Sequence, residues 1–352
     1  MIKIPKKFIN WFITILFIVV FSFFYWQEYL ENYEKNSNEV KENYILEQNI
    51  NSFEVSQIRD LEDTKFYYTP YKPLLDKIVD KIKLSREKIY LEVYMLTETR
   101  IKESLIKAKK RGVEVKVLLE KNPYKANSIN NKHYNFLKNA WVDIKWSNPD
   151  NYSLNHSKFI IIDDEVIISS WNFTYSTFAH NRDMFLFTRD TEILNKLTSL
   201  FKKDFSWEKT SIYDNNLVVS PNYSRDKFSK LFDSSNESIK LYFQYLQDEE
   251  LEEKLIAKSE KWINVELIVR ESFYLEEKEK ISYLEKKWIK IMPLNKSSMH
   301  SKAILIDEKY LFIWSINFSS YSLDKNREIW LLLTNKDIIE KFNELFEKDF
   351  AK

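Results

Sequence analysis

Apolar and polar positions change rhythm several times along the chain, and each rhythm predicts an element. Phe8 to Trp26 is an apolar run of nineteen residues, broken only by Asn10, Thr14 and Ser22. A helix of that length at about 1.5 Å per residue spans about 28 Å, close to the hydrocarbon thickness of a bilayer. Residues 27–64 are polar, charged and without clear periodicity, and are expected to form a stalk. Beyond them strand and helix patterns alternate. Phe66-Tyr67-Tyr68-Thr69 predicts a short strand stopped by Pro70, and Leu74, Leu75, Ile78, Val79 and Ile82 recur at helical spacing. Ile89–Leu96 predicts a strand, Arg100–Lys110 a helix ended by Gly112, and Val113–Leu119 another strand. Tyr134–Asn139 predicts a helix leading into a strand over Val142–Trp146. Such alternation implies an α/β fold, a sheet with helices on both faces.

The second half repeats this order. Leu217–Pro221 echoes the strand before Pro70, and Ile239–Phe243 echoes Ile89–Val93. Leu255–Arg270 echoes Leu105–Glu120 at an offset of 150, and Tyr283–Ile291 echoes Phe136–Ile144. The chain therefore divides into an amino-terminal anchor (1–34), a stalk (35–64) and two similar lobes, 65–212 and 213–352.

The most specific signal lies inside the repeat. His156-Ser157-Lys158 is followed by Phe159-Ile160-Ile161-Ile162 and Asp163. His300-Ser301-Lys302 is followed by Ala303-Ile304-Leu305-Ile306 and Asp307. Both copies read H-x-K-x4-D around an apolar run that predicts a buried strand. Residues two apart on a strand share a face, so each copy presents an imidazole beside an ammonium, a pairing suited to holding and attacking a phosphate. The chain has 4 histidines, and two of them open this pattern. Each copy is followed by a second signal: Ser169-Ser170-Trp171-Asn172 with Asn181-Arg182-Asp183, and Trp314-Ser315-Ile316-Asn317 with Asn326-Arg327-Glu328.

With these residues the chain resembles the phospholipase D superfamily, over roughly residues 65–352. That family carries H-x-K-x4-D, then G-S-x-N and a downstream acid. The glycine of G-S-x-N is absent from both copies, and the first copy is one residue shorter between its Asp and Asn. The resemblance implies two α/β lobes, each a mixed sheet flanked by helices, related by a pseudo-two-fold with one active site at the seam. One imidazole then attacks phosphorus to form a phosphohistidine and the other protonates the departing oxygen. By resemblance His156 is the nucleophile and His300 the acid–base; the symmetry of the sequence does not choose between them. Lys158, Lys302, Asn172 and Asn317 are candidates to hold the phosphate oxygens, with Ser315 beside them. Asp183 and Glu328 are candidates to orient a histidine, of the same or the opposite lobe. Asp163 and Asp307 complete the catalytic motif, although a strand-end position favours holding it by hydrogen bonds. His180 is close enough in sequence to line the cleft, and His133 reads as a surface residue. The family chemistry needs no metal and no cofactor.

Composition and charge narrow the substrate. There are 54 basic and 53 acidic side chains, whereas grooves that track nucleic acid are usually basic. A membrane anchor and a 16% aromatic content suit a phospholipid substrate, with hydrolysis or transfer of its phosphatidyl group. An endonuclease or a cardiolipin synthase-like transferase of the same superfamily is the alternative, and a binding protein without activity is disfavoured by two full motifs. Lys3, Lys6 and Lys7 precede the apolar run, and Glu28, Glu31 and Glu34 follow it. The positive-inside rule then predicts a single-pass protein of the cell membrane with its catalytic region outside the cytoplasm. Phe21–Trp26 is bulky throughout and offers no small-residue cleavage site, so the anchor is expected to be retained. The enzyme is expected to be a monomer, its two lobes forming a dimer within one chain. There is no cysteine, which excludes disulfides.

One compositional feature stands apart. The chain has 1 glycine and 10 tryptophans. Gly112 closes a helix before a strand, and the repeat places Trp262 at the equivalent corner. Trp141 and Trp288 occupy another such corner, and Trp314 stands at the glycine of G-S-x-N. Left-handed corners favour glycine. Either bulky residues are tolerated here, or UGA encodes glycine in this gene and has been read as tryptophan. Trp146, Trp207 and Trp330 read as ordinary aromatics.

Overall fold

Four consecutive apolar residues, Phe159–Ile162, sit buried at the centre of the first lobe, covered on both faces. The computed structural model describes residues 23–27, 29–30, 53–126, 128–170, 172–210, 212–294, 298–315 and 319–351. Contacts divide the chain into two units, Met1–Ser52 and Phe53–Lys352. In the first unit, residues 23–27 and 29–30 are helical and exposed. No helix among the described residues is long and apolar enough to cross a membrane. Most of the expected span, residues 8–22, lies outside them.

The second unit contains the two lobes. In the first, β1 (Thr64–Tyr68), β2 (Lys88–Val93), β3 (Glu114–Leu119), β4 (Asp143–Trp146), β5 (Lys158–Ile162), β6 (Glu165–Ser169) and β8 (Met184–Thr188) form one sheet in the order β1-β8-β6-β5-β2-β3-β4. A two-residue strand, β7 (Asn181–Arg182), lies outside it. Strands β2, β3 and β4 run parallel, and the other pairings are antiparallel. The second lobe builds the same sheet from β9 (Leu217–Val219), β10 (Ser238–Phe243), β11 (Asn264–Arg270), β12 (Lys290–Leu294), β14 (Ala303–Ile306), β15 (Tyr310–Trp314) and β16 (Ile329–Leu333), in the order β12-β11-β10-β14-β15-β16-β9. Read from opposite ends, the two orders correspond strand for strand, so the repeat seen in the sequence is a repeat of topology.

Alternation along the strands divides the packing. Phe159 and Ile161 face one way, and Ile160 and Ile162 the other. The first pair joins a core that crosses the lobe boundary, with Phe201 from helix Thr191–Phe205, Leu305 from β14, and Phe342 and Phe346 from helix Lys336–Phe350. The second pair packs in a core of the first lobe alone, and a third core belongs to the second lobe with the 53–58 segment. The lobes are thus two halves of one folding unit. The polar stalk expected to reach residue 64 ends earlier: Phe53, Val55, Ile58 and Leu61 are buried, and Lys230 Nζ donates to the Phe53 carbonyl at 3.1 Å.

The expected left-handed corners are present. Trp141, Trp262 and Trp288 have φ of 62°, 67° and 65°, beside 93° at Gly112. At each, the next residue's N–H returns to a helix carbonyl, as in Val142 to Leu137 and Ile263 to Lys258, closing the helix in the manner glycine usually permits. Two readings change. Trp207, expected to be ordinary, has φ of 66° and the same closure, with Glu208 N donating to Lys203 O at 2.9 Å. Trp314 has its backbone in the β15–β16 ladder opposite Trp330, so its conformation asks for no glycine.

Candidate active site

Each motif histidine lies just before its strand, at the end where β2 or β10 finishes, and each is tied there to the opposite lobe. His156 N donates to the Arg327 carbonyl at 2.8 Å, and Arg327 N donates to Leu154 O at 2.9 Å. The mirror contact is the parallel pairing of β13 (Ser298–Met299) with β7, continued by His300 N to Arg182 O at 3.3 Å. Ser301 Oγ adds a bond to the same Arg182 carbonyl at 2.7 Å. Backbone exchange across the pseudo-two-fold therefore brings both histidines to one seam.

The acids cross the seam as well. Glu328 Oε2 lies 2.8 Å from His156 Nδ1, and Ser315 Oγ donates to the same carboxylate oxygen at 2.6 Å. On the other side Asp183 Oδ1 is 3.8 Å from His300 Nδ1 and accepts from Ser170 Oγ at 3.2 Å. Glu328 thus orients the histidine of the opposite lobe, Asp183 stands beside the other beyond hydrogen-bond distance, and each serine of the second signal holds its own lobe's acid in place. That is the site of Ser315, expected among the phosphate-holding residues. Ser170 does the same in the shorter first copy.

The two halves differ in detail. Lys302 Nζ is 2.9 Å from His300 Nδ1 and donates to the His300 carbonyl at 2.9 Å. Lys158 Nζ donates to the His156 carbonyl at 2.6 Å and stands 5.2 Å from the Tyr94 ring centroid, while Tyr94 meets the His156 ring edge-on at 4.6 Å. Lys158, Lys302, His300, Asp183 and Glu328 are buried and the His156 side chain is 12% exposed, and withdrawal from water sets their protonation. It lowers His156 to about 4 against the pull of Glu328. It holds His300 well below its usual value, helped by Lys302 and Lys158. Lys302 falls to about 7 and Lys158 well below its usual value for the same reason. Asp183 is raised well above the carboxylate range by burial, whereas Glu328 is held below it, because His156 and Lys158 outweigh burial there.

Other expected residues fall elsewhere. Asp163 and Asp307 stand at the far ends of β5 and β14 and touch no reacting group. Asp163 accepts from the backbone N–H groups of Arg86, Glu87 and Lys88 at 2.9 to 3.0 Å. Asp307 accepts likewise from Asn236, Glu237 and Ser238. Their place in the catalytic set is corrected to a structural one: each carboxylate closes the turn that leads into β2 or β10. Asn172 is buried and its Oδ1 accepts from Met95 N at 3.1 Å, which fixes the loop after β2. Asn317 lies outside the described residues. His180 is exposed beside Tyr175. His133, expected at the surface, is buried against Lys102, with 2.7 Å between Nζ and Nδ1.

Arg182 and Arg327 were given no role from the sequence. Both are buried, and each pairs with an aspartate at the end of its partner lobe's last helix: Arg182 Nε with Asp349 at 2.9 Å, and Arg327 Nε with Asp204 at 2.9 Å. Their carbonyls receive the histidine N–H groups, so these ion pairs fix the seam. The signal was present: Arg precedes the acid in both copies, and Lys203-Asp204-Phe205 recurs as Lys348-Asp349-Phe350.

Two topologically matched lobes contributing one histidine each to a shared seam define a duplicated phosphodiester-type site. The chain belongs to the phospholipase D superfamily: residues 78–205 and 228–350 match the family described as cardiolipin synthase, PLD-like domain. It is 30% identical over 158 residues to a phospholipase D of Rickettsia bellii, covering 44% of this chain and 75% of that protein. A phospholipase D of Rickettsia prowazekii is 29% identical over 163 residues, 46% of this chain and 75% of that protein. Among solved structures, the phosphatidylserine synthase of Haemophilus influenzae Rd KW20 superposes with a TM-score of 0.69 at 14% identity, over 85% of this chain and 89% of that one. The polyphosphate kinase of Porphyromonas gingivalis gives 0.64 at 17%, over 81% and 50%. At these identities the likeness is one of fold.

Proposed function

We propose that this protein is a membrane-anchored phospholipase D-type phosphodiesterase that cleaves the phosphatidyl group of phospholipids through a phosphohistidine. The observation that carries the chemistry is the inequality of the two histidines across the seam. Glu328, held below the usual carboxylate range, accepts at 2.8 Å from His156 Nδ1. A neutral His156 that donates its Nδ1 proton there keeps an Nε2 lone pair for attack. On the other side Lys302 Nζ, a donor, faces His300 Nδ1 at 2.9 Å, which favours a proton on Nε2, the form that donates.

In the first step the His156 Nε2 lone pair forms a bond to phosphorus and the bond from phosphorus to the departing oxygen breaks. The His300 Nε2 proton goes to that oxygen while Lys302, charged once the phosphate is bound, passes a proton to His300 Nδ1. In the second step His300 Nε2 takes a proton from water and its Nδ1 proton returns to Lys302, the new oxygen–phosphorus bond forms, and the nitrogen–phosphorus bond breaks. Lys158 and Lys302 flank the phosphate and stabilise its growing charge. The lipid assignment is supported by the two Rickettsia relatives, by near-neutral net charge and by the amino-terminal apolar run. Transfer to an alcohol in place of water is the second reading, favoured by the family description. The deciding assay offers the full-length protein labelled phosphatidylcholine, phosphatidylglycerol and single-stranded DNA. Head-group release with intact DNA supports the reading, and cleavage of DNA alone overturns it. Removal of the region beyond residue 35 by external protease on intact cells would support the outward topology, and full protection would overturn it.

A further inference from the structure

The repeat breaks its symmetry at one place beside the seam. Val93 of β2 pairs with Leu119 of β3 as Phe243 of β10 pairs with Val269 of β11, so Glu120 and Arg270 occupy equivalent positions. Both extend the face that carries Leu118 and Ile268 into the shared core. Glu120 is buried and its carboxylate is used internally, accepting from Asn155 N at 2.7 Å and Ser147 Oγ at 2.9 Å. It thereby braces the residue before His156. Arg270 stands in the matching place beside Met299-His300, half-buried, with its Nη1 donating to Tyr245 Oη at 3.2 Å. It makes no ion pair among the described residues, unlike the buried Arg182 and Arg327. Its charge reaches His300 and contributes to keeping that imidazole neutral.

We propose that Arg270, steadied by Tyr245, receives an anionic substituent on the alcohol that departs beside His300, so that the enzyme prefers phospholipids whose head group carries a carboxylate or a second phosphate. This rests on the phosphodiesterase reading and on His300 facing the leaving group. A guanidinium with no carboxylate partner among the described residues, one strand from the acid and turned to the seam, is placed to meet such a group through two parallel hydrogen bonds. Glu120 at the same place in the first lobe is spent on the fold, so the preference belongs to one side of the phosphate only.

The test compares head-group release by the full-length protein from phosphatidylserine, phosphatidylglycerophosphate, phosphatidylglycerol and phosphatidylethanolamine, each diluted in the same neutral detergent micelles. Bis(4-nitrophenyl) phosphate serves as a substrate with no such head group. Arg270→Gln is expected to lower kcat/KM about tenfold or more for the two anionic head groups, the scale of a lost charge-assisted hydrogen bond. Any effect on the other two lipids and the nitrophenyl diester, through the weak pull of Arg270 on His300, should be small and equal among them, and Arg270→Lys should recover part of the loss. A loss confined to phosphatidylserine assigns the carboxylate, and one confined to phosphatidylglycerophosphate assigns the phosphate. An equal loss on all substrates, or none on any, overturns the proposal. A wild-type protein that cleaves no diester at all, the nitrophenyl one included, overturns the phosphodiesterase reading and this inference with it.

Discussion

Glu328 of the second lobe holds the Nδ1 of His156 in the first lobe at 2.8 Å. The contact links residues 172 positions apart and exists only because the lobes exchange backbone hydrogen bonds at the seam. Glu328→Gln removes the charge but keeps the shape. It should lower kcat by about 100- to 10,000-fold, the range for a proton-handling group. Asp183→Asn, whose carboxylate is already raised and lies 3.8 Å from its histidine, should cost less. Steady-state kinetics on one diester checks the ranking, and equal losses would contradict it.

Anion binding should draw in a proton. Burial lowers Lys302 to about 7, so at pH 8 most of the unliganded protein carries it uncharged. A bound phosphate places negative charge beside the amine and raises its pKa. Between the two values the complex holds more protons than the free protein, so binding takes one up and weakens as pH rises through that window. Calorimetry with inorganic phosphate in buffers of different ionisation enthalpy should show net uptake at pH 8, lost in Lys302→Met. Proton release would contradict the assignment.

The two buried arginine–aspartate pairs should matter to stability more than to chemistry. Asp204→Ala leaves the Arg327 guanidinium buried without its carboxylate, a change expected to cost about 3–5 kcal/mol. Denaturant titration measures it. A cost under about 1 kcal/mol, the level of a surface pair, would show that the pair does not fix the seam.

Four tryptophans in left-handed corners make a separate claim about residue identity. Trp141 and Trp262 are 85% and 83% exposed, so packing does not compensate the backbone cost. Trp141, Trp262 and Trp288 stand at the amino-terminal ends of β4, β11 and β12, away from the catalytic end of the sheets, where they serve no evident contact with substrate. The codons at 141, 207, 262 and 288 should be UGA, and mass spectrometry of the native protein should find glycine. UGG at all four would refute this. If the residues are tryptophan, Trp262→Gly should stabilise the fold by about 1 kcal/mol, the strain of a non-glycine left-handed residue.

The strand–helix alternation, the repeat and the seam were more legible in the sequence than the side-chain roles. His156, His300 and the downstream acids were legible because each sits in a pattern that occurs twice. That the acids reach the opposite lobe was not, since pairing across a seam leaves no local spacing to read. Asp163 and Asp307 share the motif but lie a strand's length from the histidines, about 17 Å for five residues. The arginines and their aspartates each recur in the two lobes, but their pairing was hidden for a similar reason: Arg327 and Asp204 are 123 positions apart and meet only in the fold.

The central claim, one site with His156 as nucleophile, is tested by trapping the covalent intermediate. His300→Ala and His156→Ala are each mixed with a labelled diester bearing a good leaving group, quenched with alkali and mapped by mass spectrometry. His300→Ala should carry label on His156, because departure then needs no acid, and His156→Ala should carry none. Label on His300, or about half of wild-type turnover remaining in each single variant, would contradict the account.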